Sequence, residues 1–284
     1  MKIGFNQATA LECKGQSLIA DLEACEANGY DYIEIRFDCI RDYLRTNTLQ
    51  DLADWFANHN LKPWAYNTLI FFNQRDEAGK KEIDDEVDFI IEVCNAIGMK
   101  MLITVPTLDV GHLTIDEIKE EAVERLQHIA DKVAPHGIRV SLEFLGTPNC
   151  SINLFDTAYD IVLATGRNNV GVTLDTFHFH TMGSNWSALE AADPKRIFAF
   201  HLNDSENLPI GSLNDTHRLW PGDGCIDHER IFSILDKLGW DGVCTIEEFR
   251  PDYYELSHTE NVRIAKEKTQ AVIDKYWKKI TERV

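Results

Sequence analysis

No uninterrupted apolar stretch in this 284-residue sequence reaches the roughly 20 residues that a bilayer-spanning helix needs. The N-terminus, Met1-Lys2-Ile3-Gly4-Phe5-Asn6, passes straight into an apparent strand instead of a leader. Both absences predict a soluble, cytoplasmic protein with no membrane partner. Basic residues are scarce: 28 Lys and Arg stand against 47 Asp and Glu, a formal net charge of −19. A phosphate backbone would be repelled over most of such a surface, which argues against nucleic acid as a partner. The seven cysteines are odd in number, scattered, and nowhere in C-x-x-C spacing, so neither a zinc ribbon nor a dithiol redox centre is indicated. The sequence also lacks a G-x-S-x-G elbow, a G-x-x-x-x-G-K-[ST] loop and an H-E-x-x-H pair, which removes the common serine-hydrolase, phosphate-loop and zincin chemistries.

What is present is a repeated unit: an amphipathic helix, a Gly or Asn stop, a short β-rich run, then a polar residue. Asn28-Gly29 leads into Tyr32 to Ile35, Gly98 into Met101 to Val105, Gly137 into Ile138 to Phe144, and Gly239 into Val243 to Ile246. Runs at Ile3 to Phe5, Pro63 to Tyr66, Val170 to Leu174 and Ile197 to Leu202 bring the total to eight. Runs that are apolar on both faces read as buried parallel strands, and eight of them alternating with helices predict a (β/α)₈ TIM barrel. Leu18, Leu22 and Cys25, like Ile118, Ala122 and Leu126, repeat at helical spacing. Thr114 with Glu117 and Ser257 with Glu260 have the spacing of capping boxes. A doubly wound sheet would need a Gly-rich turn after the first strand, where Asn6-Gln7-Ala8-Thr9 stands instead. With no linker or composition break, residues 1–284 read as a single domain. The longest irregular stretch, Asn203 to about Cys225, reads as a lid or specificity loop.

Glu143, Asp175, His201 and Glu247 stand at the ends of the fifth to eighth runs. Any one alone could equally cap a helix or pair with an Arg. Four on consecutive strands, at the face where barrels keep their chemistry, predict a shared metal site. Three carboxylates and one imidazole make a hard, oxygen-rich set that suits Mn²⁺, with Zn²⁺, Co²⁺ or Mg²⁺ as alternatives. Glu248 follows Glu247, and strand alternation leaves a choice; Glu247 is taken as the inward residue and Glu248 as a surface charge. His178 reads as a second-metal ligand, a substrate contact or a packed ring. His180 reads as packed, and His59, His112, His128, His136, His228 and His258 as solvated. In His217 to Gly224, Arg218 could reach a substrate oxygen and Trp220 could line the site, or the segment is an ordinary turn with Trp220 covering apolar surface. Asn6, Glu34 and Asn67 end the early runs and are expected to rim the same mouth, or else to cap helices or pair at the surface.

Phe5 to Thr9, Gly29 to Arg36, Phe71 to Asp76, Leu142-Glu143-Phe144, Leu174 to His180, Trp220-Pro221-Gly222 and Glu247 to Pro251 together resemble the xylose isomerase-like barrels, a family of sugar isomerases, epimerases, inosose dehydratase and endonuclease IV. The resemblance spans nearly the whole chain. It implies that Glu143, Asp175, His201 and Glu247 hold one divalent ion, that His178 is a substrate-side residue, and that Arg218 binds a substrate oxygen. Phe71 to Asp76 and Phe177 to Ser184 point within the family to an isomerase that moves the ketone of an inosose, a small polyhydroxylated cyclic ketone, to the neighbouring ring carbon through an enediol. Glu143 and Glu247 would then serve as base and acid. A dehydratase, a ketose 3-epimerase and a non-enzymatic sugar-binding module are the alternatives. Association into a homo-oligomer is a further implication of the family.

Overall fold

The structure, a computed structural model, describes residues 1–277. Its strands are β1 (Lys2–Asn6), β2 (Tyr32–Arg36), β3 (Lys62–Ile70), β4 (Met101–Val105), β5 (Arg139–Glu143), β6 (Val170–Asp175), β7 (Ile197–Leu202), β8 (Asp204–Ser205), β9 (Arg218–Leu219) and β10 (Val243–Ile246). Eight of them, β1 to β7 and β10, close a parallel barrel in chain order, with β10 returning to β1. The expected barrel is therefore the observed one. β3 runs four residues past the expected Tyr66, to Ile70. The remaining two strands form a separate antiparallel pair.

The helices are α1 (Leu18–Ala27), α2 (Phe37–Tyr43), α3 (Leu49–Ala57), α4 (Glu77–Ile97), α5 (Ile115–Val133), α6 (Phe155–Ala164), α7 (Thr176–Thr181), α8 (Trp186–Glu190), α9 (His228–Leu238), α10 (Pro251–Tyr254) and α11 (His258–Tyr276). Local chemistry sets their ends. Thr114 and Glu117 close the expected capping box at the head of α5. Gly98 and Gly239 end α4 and α9 with φ of 77° and 72°, a left-handed conformation that costs any residue with a Cβ. Ser257 precedes α11 but makes no side-chain cap bond, so the box expected from Ser257 and Glu260 does not form. Among the described residues no helix is long and apolar enough to cross a membrane.

One parity rule organises the interior. Successive side chains of a strand point to opposite faces. Phe5, Ile33, Tyr66, Leu102, Leu142, Leu174, Phe200 and Ile246 belong to the main core between barrel and helices. Their chain neighbours on the other parity face the barrel axis. At the N-terminal end these are Ala65, Met101, Ile103 and Ala199, which with Phe198 form a small separate apolar cluster. At the C-terminal end the same parity carries Asn6, Glu34, Asn67, Glu143, Asp175, His201 and Glu247.

Candidate metal centre

Strand register brings the four expected ligands together. Asp175 on β6 is level with His201 on β7, and His201 is level with Thr245 on β10, two residues before Glu247. Glu143 on β5 is level with Thr173, two residues before Asp175. All four therefore lie on the axial face in adjoining layers, although they come from strands spread over more than a hundred residues of chain. One ligand atom from each of Glu143, Asp175, His201 and Glu247 lies within 4.8 Å of all the others, and all four residues are buried.

The donor set fits a cation. His201 Nδ1 lies 2.8 Å from Glu143 Oε1, 3.3 Å from Glu247 Oε2 and 3.8 Å from Asp175 Oδ2. Nδ1 and Glu143 Oε1, though close, are each buried without a hydrogen-bond partner. Two such atoms facing a common point would be costly unless something there satisfies both. Two or more carboxylate oxygens and an imidazole nitrogen at these spacings could hold a divalent ion.

The electrostatics point the same way. Burial and the nearby carboxylates of Glu247 and Asp175 push Glu143 up to about 8 against the pull of His201. Burial opposes charge on His201 as well, yet Glu143, Glu34 and Glu247 around it raise its proton affinity well above the ordinary imidazole range. For Asp175, burial is outweighed by Arg218, His178 and His201, which hold the carboxyl below the usual carboxylate range. Protons on Glu143 and His201 and a divalent ion are thus alternative sources of the positive charge this cluster attracts. A divalent ion would supply that charge and release them.

The residues expected at the mouth lie close to the ligands. Asn6, Glu34 and Asn67 are 0%, 0% and 3% exposed, as deeply buried as the four candidate ligands. Glu34 Oε1 lies 3.2 Å from His201 Nε2, while its Oε2 accepts from Asn6 Nδ2 at 3.0 Å and Asn67 Nδ2 at 3.3 Å. Together they form a layer directly behind the ligands. Being on the axial parity of closed strands, these side chains point at the barrel centre and not at solvent.

Arg218, brought in by β9, is fully buried. Its Nη1 donates to Asp175 Oδ2 at 3.0 Å and to the Glu247 carbonyl at 3.1 Å, its Nε donates to Asp215 at 3.0 Å, and its Nη2 lies 3.1 Å from His178 Nε2. The rings of Phe177 and Phe249 face the guanidinium, with centroids 4.8 and 5.2 Å away. His178 is buried beside it, and its Nδ1 has no partner. Burial and the neighbouring Arg218 keep His178 below the ordinary imidazole range despite Asp175. Trp220 sits apart: its ring is buried and stacks on Tyr253 at 4.0 Å, the arrangement of a residue covering apolar surface.

Two expectations are corrected. Glu248 is no surface charge; it is 0% exposed and neither carboxyl oxygen has a partner. It shares the parity of Ile246, and in a barrel the outward face of a strand meets the helical layer, not water. Burial accordingly pushes its carboxyl well above the usual range. His228 and His258 are likewise buried instead of solvated, bonded through Nε2 to Asp204 at 3.1 Å and Asp21 at 2.6 Å. Residues 203–225 are mostly turn and loop, as expected, but they are anchored. They hold the β8–β9 pair, and Asp204 accepts from the backbone of Gly222, Gly224 and Ile226, which pins the turn.

Sequence reasoning missed Asn203. Its Nδ2 donates to Asp175 Oδ2 at 2.9 Å, while its Oδ1 accepts from Thr176 Oγ1 at 2.6 Å and Phe177 N at 2.7 Å. It stands two residues beyond His201, on the same parity, so the rule that found the ligands would have found it too.

The fold and site together define a (β/α)₈ barrel with an oxygen-rich divalent-cation centre at the C-terminal ends of its strands. Comparison with known proteins narrows this. Residues 22–274 match the family described as "Xylose isomerase-like TIM barrel", and the chain belongs to that family. The inosose isomerase of Bacillus velezensis is 46% identical over 280 residues, covering 98% of this chain and 99% of that one. The inosose isomerase of Bacillus subtilis is 45% identical over 278 residues, covering 98% and 99%. A crystal structure of "IOLI protein with a binding zinc atom" superposes with a TM-score of 0.95 at 45% identity, covering 97% of this chain and 99% of that one.

Proposed function

We propose that this protein is an inosose isomerase, interconverting 2-keto-myo-inositol and 1-keto-D-chiro-inositol through an enediol in inositol catabolism. The observation that carries this reading is identity of about half the residues, over essentially the whole of both chains, to curated inosose isomerases, in a chain that gathers Glu143, Asp175, His201 and Glu247 at one point. These four would hold one divalent ion. Mn²⁺ suits three carboxylates and one imidazole; Zn²⁺, the ion of the IOLI crystal structure, suits them too, as do Co²⁺ and Mg²⁺. Such an ion supplies Lewis-acid stabilisation of the oxygen charge that builds up as a proton leaves the carbon beside a ketone.

The chain's own groups do the rest. Glu143 and Glu247 flank the centre from β5 and β10. One takes the proton from the hydroxyl-bearing carbon beside the ketone and the other delivers a proton to the former carbonyl carbon, while the O–H proton passes from the hydroxyl oxygen to the former ketone oxygen, so that carbonyl and hydroxyl exchange places and the atoms balance. His178 and Arg218 stand beside Asp175 as contacts for substrate hydroxyls. His178 offers its unpartnered Nδ1, which is the donor nitrogen when Nε2 accepts from Arg218. The buried setting of these groups excludes bulk water, which would otherwise quench the enediolate. With most of its cysteines buried and none in a disulfide, the protein is at home in a reducing cytoplasm.

Proton NMR of 2-keto-myo-inositol in D₂O with metal-loaded protein tests the proposal. Deuteration beside the ketone together with a new cyclic ketone is the expected result. Loss of water would make the protein a dehydratase, exchange only in a ketohexose would make it a ketose epimerase, and binding without exchange would reduce it to a sugar-binding module.

A further inference from the structure

The hydrogen bonds behind the ligands follow one direction that begins at the backbone. Asn6 caps the short 3₁₀ helix Gln7–Ala10, its Oδ1 accepting from the Ala8 amide at 2.9 Å. With Oδ1 so engaged, the other end of the side chain must be the NH₂ group, and its two hydrogens go to Glu34 Oε2 at 3.0 Å and Glu247 Oε1 at 2.7 Å. Glu34 Oε2 also takes Asn67 Nδ2, which leaves Oε1 to face His201 Nε2 at 3.2 Å. A carboxylate that faces Nε2 and receives two amide donors accepts a proton-bearing Nε2, and Nδ1 is then the nitrogen with a free lone pair. Nδ1 is also the atom that meets Glu143, Asp175 and Glu247.

We infer that Glu34 is a positioning residue for the metal centre and not a substrate contact. It selects the His201 tautomer that ligates through Nδ1, and through Asn6 it ties the orientation of that ring to the Glu247 carboxylate, leaving Glu247 Oε2 turned toward the centre. The inference rests on the proposed metal site but not on any substrate. Carboxylates behind metal-bound histidines raise ligand basicity and fix ring orientation, and their loss costs about 10- to 100-fold in metal affinity.

The test is Zn²⁺ competition with a chromophoric chelator, with no substrate present. Glu34→Ala should lose about 10- to 100-fold in affinity. Glu34→Gln, which keeps the shape, should lose less than Glu34→Ala but still measurably, because an amide end must present N–H either to His201 or to the Asn6 and Asn67 donors. Should the alanine variant fail to fold, the glutamine variant decides alone. Long-range ¹H–¹⁵N NMR on ¹⁵N-histidine-labelled, zinc-loaded protein should show His201 protonated at Nε2, with mixed or reversed tautomers in Glu34→Ala. Unchanged zinc affinity in Glu34→Gln with a raised KM for the ketone would overturn the assignment in favour of a substrate contact, as would a zinc-bound Nε2 in the wild type. Failure of the wild type to bind zinc would overturn the inference together with the metal centre itself.

Discussion

The two ends of this barrel belong to one closed sheet, yet they are chemical opposites. The N-terminal end carries Ala65, Met101, Ile103, Phe198 and Ala199, a small apolar cluster. The C-terminal end holds Glu34, Glu143, Asp175, Glu247, His201 and Arg218, all nearly or fully buried. Burying that many ionisable groups opposes folding unless each is paired or bound to an ion. The contrast separates two duties that a single core cannot combine: one end contributes stability, and the other is kept charged for chemistry.

The largest effect should come from the charged end. Glu143→Gln or Glu247→Gln should reduce exchange of the proton beside the ketone by about 10²- to 10⁴-fold, while chemical denaturation of the metal-free variants shows no loss of stability. Retained exchange in both variants would remove these residues from the mechanism. At the apolar end the pattern should invert: Ile103→Ala should cost about 2–5 kcal/mol in urea unfolding and leave zinc affinity unchanged. A comparable fall in metal affinity would mean that the two ends are not independent.

Glu248 lies at the charged end but on the outward parity, and it sharpens the division. Its carboxyl is buried without hydrogen-bond partners, and burial disfavours its charged form, so Glu248→Met should stabilise the protein by about 1–3 kcal/mol, the penalty of an unsatisfied buried polar group. Destabilisation on thermal or urea unfolding would show that the side chain has partners in solution. The pH dependence of metal binding tests the charged end in another way. Metal uptake must displace protons from Glu143, raised to about 8, and from His201, raised well above the imidazole range. Apparent affinity should therefore rise with pH from 6 through 8, by roughly tenfold per pH unit for each proton displaced. Competition titrations at several pH values would check the sign; affinity that is flat or falls over this window would show that the ligands are already deprotonated.

Much of this was legible in the chain. The β/α alternation, the helix stops at Gly98 and Gly239, and the strand-end positions of Glu143, Asp175, His201 and Glu247 all follow from local periodicity, because parity and helix capping are backbone properties of short segments. What misled was the assumption that a residue not facing the site faces water. It placed Glu248, His228 and His258 at the surface. The β8–β9 pair was invisible for a related reason, since two-residue strands have no period to read.

By itself, then, the sequence determined which residue types stand at which strand ends, and hence the barrel and its candidate ligand set. Only the tertiary structure decided what surrounds them: Glu34 against His201 across 167 positions of chain, Arg218 against Asp175 across 43, and Asn6 against Glu247 across 241. Side-chain parity is set by neighbouring backbone dihedrals and survives in any short fragment. These pairings exist only once distant strands have come together, and those of Glu34 with His201 and Asn6 with Glu247 join the two halves of the chain.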